Sequence, residues 1–378
     1  MDIERLLNIE KIWDIQSNYE KRNDLRIQNV SDWNCSNEFR LMLQNNFNAK
    51  KYNNMIEYIY SYSISELTME QLKLKYPFCI EANHDIMLST NNTVSILYVA
   101  NLLKQLNIRK ICVFAPTYFS VYNVLEILNI NYDRVSLLKS NKGYYFDETL
   151  DIDKYDAFWI TSPIFCTGVY YSKDNCRFIS KISQNKLIIT DESFCKYGKE
   201  LARTVKMQNH IGIYSPHKAI GFNAYKFSLI ILNKRYMHIM EQWSDVLCGS
   251  LNVTNYDAIY HFLSENYNEC MCNYDYFLSN ARQKLQNILD KYPNLTYDSN
   301  SNANMMMIYS NKNITSNQLN DVFYNNIMKK TMASFFPGYL HDFDSKFGFC
   351  FRVNLSLYNS HFEKIFDNLC NYINDLKD

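Results

Sequence analysis

Short apolar runs and helical periods alternate along this chain. Residues 188–190 form a compact apolar run that reads as a buried strand ending on Asp191-Glu192-Ser193-Phe194. Residues 227–232 form a second β-rich run, after the polar turn Tyr214-Ser215-Pro216-His217-Lys218. Upstream, the pattern predicts a strand from Asp85, helix 94–106, strand 110–114, helix 120–128, and strands 131–137 and 157–161. Such alternation predicts an α/β fold with a mostly parallel sheet flanked by helices. Residues 1–16 show an amphipathic helical pattern, and 67–72 read as a helix capped by Thr68 ahead of Glu70 and Gln71. From 256 to 289 the period is that of long helices, with Ala281, Leu285, Ile288 and Leu289 on one face. These helices lead to a smaller α+β unit whose expected strands are 304–309 and 347–356. The expected division is an N-terminal segment, 1–50, belonging to the small domain, a large domain, 51–270, and a C-terminal small domain, 271–378.

Composition narrows the function classes. The 378 residues suffice for one large domain and a satellite, and 39 basic residues cancel 39 acidic ones. No global field would draw in nucleic acid or an anionic membrane, so recognition is expected to be local. No apolar run approaches the roughly 18 residues of a membrane span, and the N-terminus lacks a signal-peptide core, so the expectation is a cytoplasmic protein. The 11 cysteines are scattered in apolar contexts, as reduced core residues would be. Cys270-Met271-Cys272 is too tight for zinc-ligand spacing, and no metal site is expected. With only 8 glycines and 6 prolines, the abundant asparagines are expected to take left-handed turns, and glycine motifs to survive only in eroded form.

The chemistry concentrates between residues 188 and 231. A carboxylate at one strand end, Asp191, and a lysine in a turn after another, Lys218, can hold a ring from opposite sides, since ligands of α/β sheets sit at the carboxyl ends of strands. A lysine that forms a Schiff base and a carboxylate facing a pyridinium nitrogen are the usual partners of pyridoxal phosphate. Singly, each residue also has a plain reading: a solvated turn lysine and a strand-ending cap.

Taken together, Asp191-Glu192-Ser193-Phe194, Ser215-x-x-Lys218 and Lys226 eight positions on resemble the motifs of fold type I pyridoxal-phosphate enzymes of the class I/II aminotransferase superfamily, the histidinol-phosphate aminotransferases among them. The resemblance covers roughly residues 30 to 370. It implies Lys218 as the Schiff-base lysine and Asp191 on the pyridine nitrogen, with Ser215 and Lys226 on the phosphate. Strand, turn and helix start at 85–96 resemble the family's phosphate loop, with Asn91 in place of glycine and Asn92 and Thr93 supplying N–H groups. Pro116-Thr117-Tyr118 resembles the turn whose aromatic ring covers the cofactor, which makes Tyr118 the stacking residue. Phe336-Pro337-Gly338 followed by Arg352 resembles the segment that clamps the substrate carboxylate, and Asn34, in the Asn-rich segment 29–38, would border the substrate. Either Tyr60 or Tyr62 would cross to a partner's phosphate, or the alternating Tyr58, Tyr60 and Tyr62 form a strand face.

The departures are as informative. Residues 162–168, Ser-Pro-Ile-Phe-Cys-Thr-Gly, resemble an eroded N-P-x-N-P-T-G turn in which Phe165 replaces the asparagine that donates to the cofactor's phenolic oxygen. Phe194 replaces the tyrosine that reaches the same oxygen. Loss of both donors should raise the Schiff-base pKa. Lys226 replaces arginine, a point charge in place of a fork. The resemblance implies a homodimeric aminotransferase that exchanges an amino group between an L-amino acid and a 2-oxo acid. A second reading keeps pyridoxal phosphate but changes the bond broken, to decarboxylation, cyclisation, elimination or oxidation in natural-product biosynthesis. Pro216-His217-Lys218 is similar to a decarboxylase motif, although His217 can equally be a bystander. The third reading is a degenerate, non-catalytic binding subunit.

Overall fold

The predicted alternation builds a layered α/β structure, seen in a computed structural model that describes residues 3–32, 36, 66–76, 83–141, 143–223, 226–248 and 267–376. Helix Ile3–Asn23 and strand β1 (Gln28–Asn29) come first; helix Glu66–Lys75 and β2 (His84–Ser89) lie further along. Helix Asn92–Gln105, β3 (Ile111–Ala115), helix Phe119–Ile127 and β4 (Tyr132–Ser136) follow. A hairpin of β5 (Leu138–Ser140) and β6 (Gly143–Tyr145) precedes β7 (Ala157–Thr161), helix Lys173–Ile182, β8 (Leu187–Glu192), β9 (His210–Tyr214) and β10 (Ser228–Asn233).

Seven of these strands form one sheet in the order β2-β10-β9-β8-β7-β3-β4. β10 runs antiparallel to both neighbours, and the remaining pairs are parallel. Both faces are buried, as parallel strands require. Ile111 and Val113 point into an apolar cluster with Val99, Leu103 and Leu125, while Cys112 and Phe114 point into another with Ile179 and Ile182. From β3 the chain steps outward to β4, but from β7 it proceeds the other way through β8 to β9. The carboxyl ends of β3 and β7 therefore flank a topological switch point, where a crevice opens.

The second unit begins after helix Met237–Cys248. The long helix Tyr267–Leu289 spans the expected boundary at 270 and leads to β11 (Leu295–Tyr297), β12 (Met305–Ser310), helix Asp321–Thr331, β13 (Ala333–Ser334), β14 (Phe336–Pro337), β15 (Phe349–Asn354) and helix Ser360–Asn374. Its four-stranded antiparallel sheet has the order β11-β12-β15-β14. Ala281, Leu285, Ile288 and Leu289 share one core with Phe351 and Phe366, as their helical spacing predicts. β1 pairs in parallel with β13, so the N-terminal segment joins this C-terminal unit.

Two local expectations need correction. Thr68 falls within helix Glu66–Lys75 and not ahead of it. The last strand is shorter than the apolar run 347–356, because Gly348 turns at φ 67 before it and the Asn354 side chain accepts from Ser356 N–H after it. Asparagine does replace glycine in turns: Asn83, Asn107 and Asn129 have φ of 52, 54 and 53. Among the described residues no helix is long and apolar enough to cross a membrane.

Candidate active site

A cavity of about 630 Å³ opens at the switch point, between the ends of β3, β7 and β8 and the start of β12. Lys218, Asp191, Asn92, Thr93, Tyr118 and Lys226 all line it. Residues more than a hundred positions apart in the chain thus meet in one space.

Lys218 opens a 3₁₀ turn, Lys218–Ile220, which Gly221 ends at φ 80. Its N–H donates to the Ser215 carbonyl at 2.9 Å, and its Nζ lies 5.0 Å from the centroid of the Phe194 ring. Burial pushes the Lys218 pKa down, Asp191 opposes that shift, and the neighbouring Lys226 charge adds to it. The amine is therefore biased toward its neutral, nucleophilic form.

Asp191 is 2% exposed near the end of β8. Its Oδ1 accepts from the Ser193 N–H at 3.2 Å and the Ser193 hydroxyl at 2.5 Å, while Asn92 Nδ2 donates to Oδ2 at 3.5 Å. Strand alternation turns Glu192 away from its neighbour. Glu192 accepts from the Thr190 hydroxyl at 2.9 Å, the Tyr214 hydroxyl at 3.2 Å and the Leu201 N–H at 2.7 Å, and burial raises its pKa to about 8. The two adjacent carboxyls thus point to opposite sides of the strand, and only Asp191 lines the cavity.

Helix Asn92–Gln105 aims its N-terminus into the cavity. Asn91 caps it, accepting from Val94 N–H at 3.1 Å, so a side chain chosen for capping leads the chain into a ready anion site. Asn92 is 4% exposed, and its Oδ1 has no hydrogen-bond partner among the described residues. Lys226 adds an exposed cation to the same cavity. Ser215 does not line it: this hydroxyl is buried beneath the lysine turn, 3.5 Å from the Ser228 hydroxyl.

The aromatic and apolar wall includes Tyr118, Phe165, Phe194 and Met305. The Tyr118 ring lies 4.5 Å from that of Phe119 and 6.0 Å from that of Phe165. The turn after β7 is closed by the Thr167 hydroxyl donating to the Ile164 carbonyl at 2.8 Å. Gly168 there has φ 70, and a Cβ would come within 2.5 Å of the Met305 carbonyl. That close approach lets the segment 303–305 of the second unit complete the cavity, with Asn302 N–H donating to the Gly168 carbonyl at 2.7 Å.

Arg352 is fully buried behind this wall. Its Nη1 is 4.0 Å from Cys166 Sγ, its Nη2 donates to the Ser31 carbonyl, and its guanidinium lies 5.4 Å from the Phe336 ring centroid. Burial lowers its pKa, and the nearness of Cys166, Asp32 and Tyr118 opposes that. Cys166 lines the cavity and Arg352 does not, so the thiol stands between them. His217 lines the cavity next to Lys218, packs 5.4 Å from the Phe227 ring, and is held neutral by burial, its pKa down to about 3. Asn34, Tyr58, Tyr60 and Tyr62 lie outside the described residues. Sequence reasoning missed Ser193, Cys166, Asn223 and the 303–305 segment as cavity residues; Ser193, inside the Asp191 motif, and Cys166, inside the turn 162–168, carried a signal.

No family model matches the sequence, and no curated protein does. Solved structures do match. An alanine aminotransferase from Pyrococcus furiosus aligns over 98% of this chain and 99% of its own, at TM-score 0.75 and 13% identity. The Pyrococcus horikoshii kynurenine aminotransferase, solved with PMP, aligns over 95% and 93% at TM-score 0.72 and 12% identity. The N-succinyldiaminopimelate aminotransferase of Mycobacterium tuberculosis aligns over 94% and 95% at TM-score 0.73 and 13% identity. This chain has the fold of type I, class I/II pyridoxal-phosphate aminotransferases. The donor set fits the cofactor: an amine biased toward neutrality, a buried carboxylate, a helix N-terminus beside a cation, and an aromatic ring.

Proposed function

We propose that this protein is a pyridoxal-phosphate-dependent aminotransferase acting between an L-amino acid and a 2-oxo acid as a homodimer. One observation carries the reading: Lys218, with a depressed pKa, shares a cavity with the buried carboxylate of Asp191 at a sheet switch point. When bound, pyridoxal phosphate supplies an aldehyde and a ring that takes up the electron pair of the bond being broken. Lys218 Nζ would be the amine that holds that aldehyde and, when free, the group that would carry the α-proton as general base and acid. Asp191 would hold the proton on the ring nitrogen. The first N–H groups of helix Asn92–Gln105 and Lys226 bind the phosphate, and Tyr118 covers one face of the ring. Arg352, whose Nη1 lies 4.0 Å from the cavity-lining Cys166, would orient the substrate carboxylate.

A second reading, a non-transaminating enzyme of the same fold, draws on Phe165 and Phe194. Both line the cavity where the family places donors to the phenolic oxygen, which changes how firmly the Schiff-base proton is held.

The test is an absorbance spectrum with added pyridoxal phosphate for the native protein and Lys218→Ala, followed by amino acids one at a time. The proposal expects a visible band that Lys218→Ala abolishes and that one or more amino acids convert to the pyridoxamine form. A band with no such conversion, but with release of carbon dioxide or a cyclised product, would select the second reading. No band would reject both.

A further inference from the structure

The turn that carries Tyr118 is held from outside the cavity. Thr117 is fully buried, and its hydroxyl shares a 2.6 Å hydrogen bond with that of Thr161, joining the ends of β3 and β7. Its N–H donates to Asp342 Oδ2 at 3.2 Å. The same oxygen accepts from the Tyr122 hydroxyl at 2.6 Å, one turn along the helix that Tyr118 begins. Arg134 Nε, on β4, donates to Asp342 Oδ1 at 2.6 Å, and Arg134 Nη2 donates to the Asp342 carbonyl at 2.8 Å. One carboxylate, 2% exposed, thus ties together the turn, the helix and the edge strand.

Asp342 belongs to the other unit. It ends the 3₁₀ turn Gly338–His341 at φ 69, a region that aspartate and asparagine enter more readily than other side-chain-bearing residues. That turn follows β14, whose Phe336 pairs with Arg352 on β15. His341, beside Asp342, sets its ring 5.9 Å from that of Phe165 and 6.1 Å from that of Phe336. Buried contacts therefore run from the neighbourhood of Arg352 through Asp342 to Thr117 and Tyr118. A buried ion pair is weak evidence for stability, since desolvation offsets much of the attraction. Three donors from three elements on one carboxylate instead specify position, because each restricts where the others can sit.

We propose that Asp342 is a positioning residue for the cofactor. Through the Thr117 N–H it sets the pitch of the Tyr118 ring against the ring bound by Lys218, and it couples that ring to the unit bearing Arg352. The inference rests on the reading of the cavity as a pyridoxal-phosphate site.

The test compares the full-length protein with Asp342→Asn, Tyr118→Ala and the double variant. Asparagine keeps the left-handed backbone accessible and removes the charge that binds Arg134. Two quantities are read: affinity for pyridoxal phosphate by absorbance titration, and visible circular dichroism of the bound cofactor, which follows the tilt of its ring. Asp342→Asn should weaken cofactor affinity about tenfold and diminish the visible dichroism. In the Tyr118→Ala background it should change affinity less than about twofold, because the side chain it positions is gone. Tyr122→Phe, which removes one donor to the same carboxylate, should show a smaller loss in the same direction and serves if Asp342→Asn does not fold. Equal losses in both backgrounds, or dichroism unchanged in Asp342→Asn and Tyr122→Phe, would overturn the inference while leaving the cofactor reading intact. Absence of any band in the native protein would remove both.

Discussion

At the scale of single residues, adjacent positions on one strand meet different surroundings, and those surroundings decide their chemistry. Asp191 lines the cavity, while Glu192 faces the interior, where burial lets it keep its proton to about pH 8. Unfolded, Glu192 would release that proton near 4.5, so the folded state binds one proton more between these values. Its contribution to stability is therefore full below about pH 4.5 and is lost as pH rises toward 8, by at most about 1.4 kcal/mol per pH unit. Glu192→Gln, neutral throughout, should remove this slope. Urea midpoints of both proteins at pH 5 and pH 8 would check it; parallel changes in the two would contradict the buried, protonated assignment. Phe194 lends itself to a spectroscopic prediction. In Phe194→Tyr the restored hydroxyl should stabilise the phenolate form and lower the apparent pKa of the Schiff base by on the order of one pH unit, read from a pH titration of the visible band. Asp191 at a strand end and Lys218 in a turn stood out in the sequence through the resemblance of their motifs, since singly each also reads as an ordinary cap or turn residue. The burial of Ser215 beneath its own turn did not, since it depends on β10 lying alongside β9.

At the scale of elements, the sequence pattern located the helices and strands around the cavity to within a residue or two. Each has a strong local cause: continuous apolar runs, buried at every position, for strands β3, β7 and β8, and an asparagine cap for helix Asn92–Gln105. Asn91→Ala should destabilise the protein by about 1 kcal/mol, whereas Asn91→Gly should cost only a few tenths. Denaturant midpoints of the two variants would test this, and equal losses would show that the Asn91 side chain is not acting as the cap. The last strand was read too long because an apolar run continues across Gly348 and Asn354, where backbone turning, not hydrophobicity, sets the boundary.

At the scale of the whole molecule, the two units meet through the 303–305 segment on the Gly168 turn, Asp342 on the post-β3 turn, and an apolar cluster that sets Met307 and Tyr309 with Phe114 and Ile160. A ligand held between them should stabilise the whole fold. Pyridoxal phosphate at about 100 times its dissociation constant should add about 2.7 kcal/mol, seen as a rise in melting temperature that Lys218→Ala largely loses. An equal rise in the variant would place the ligand elsewhere. The fold class, the strand-end position of Asp191 and the helix start at Asn91 were determined by the sequence itself, because periodicity, capping and turn chemistry act over a few residues. The switch point, the placement of Arg352 behind Cys166 and the contacts of Asp342 were decided only by tertiary structure. Asp342 is 220 positions from Tyr122 and 208 from Arg134, and no local period or propensity records which distant donors will close on one carboxylate.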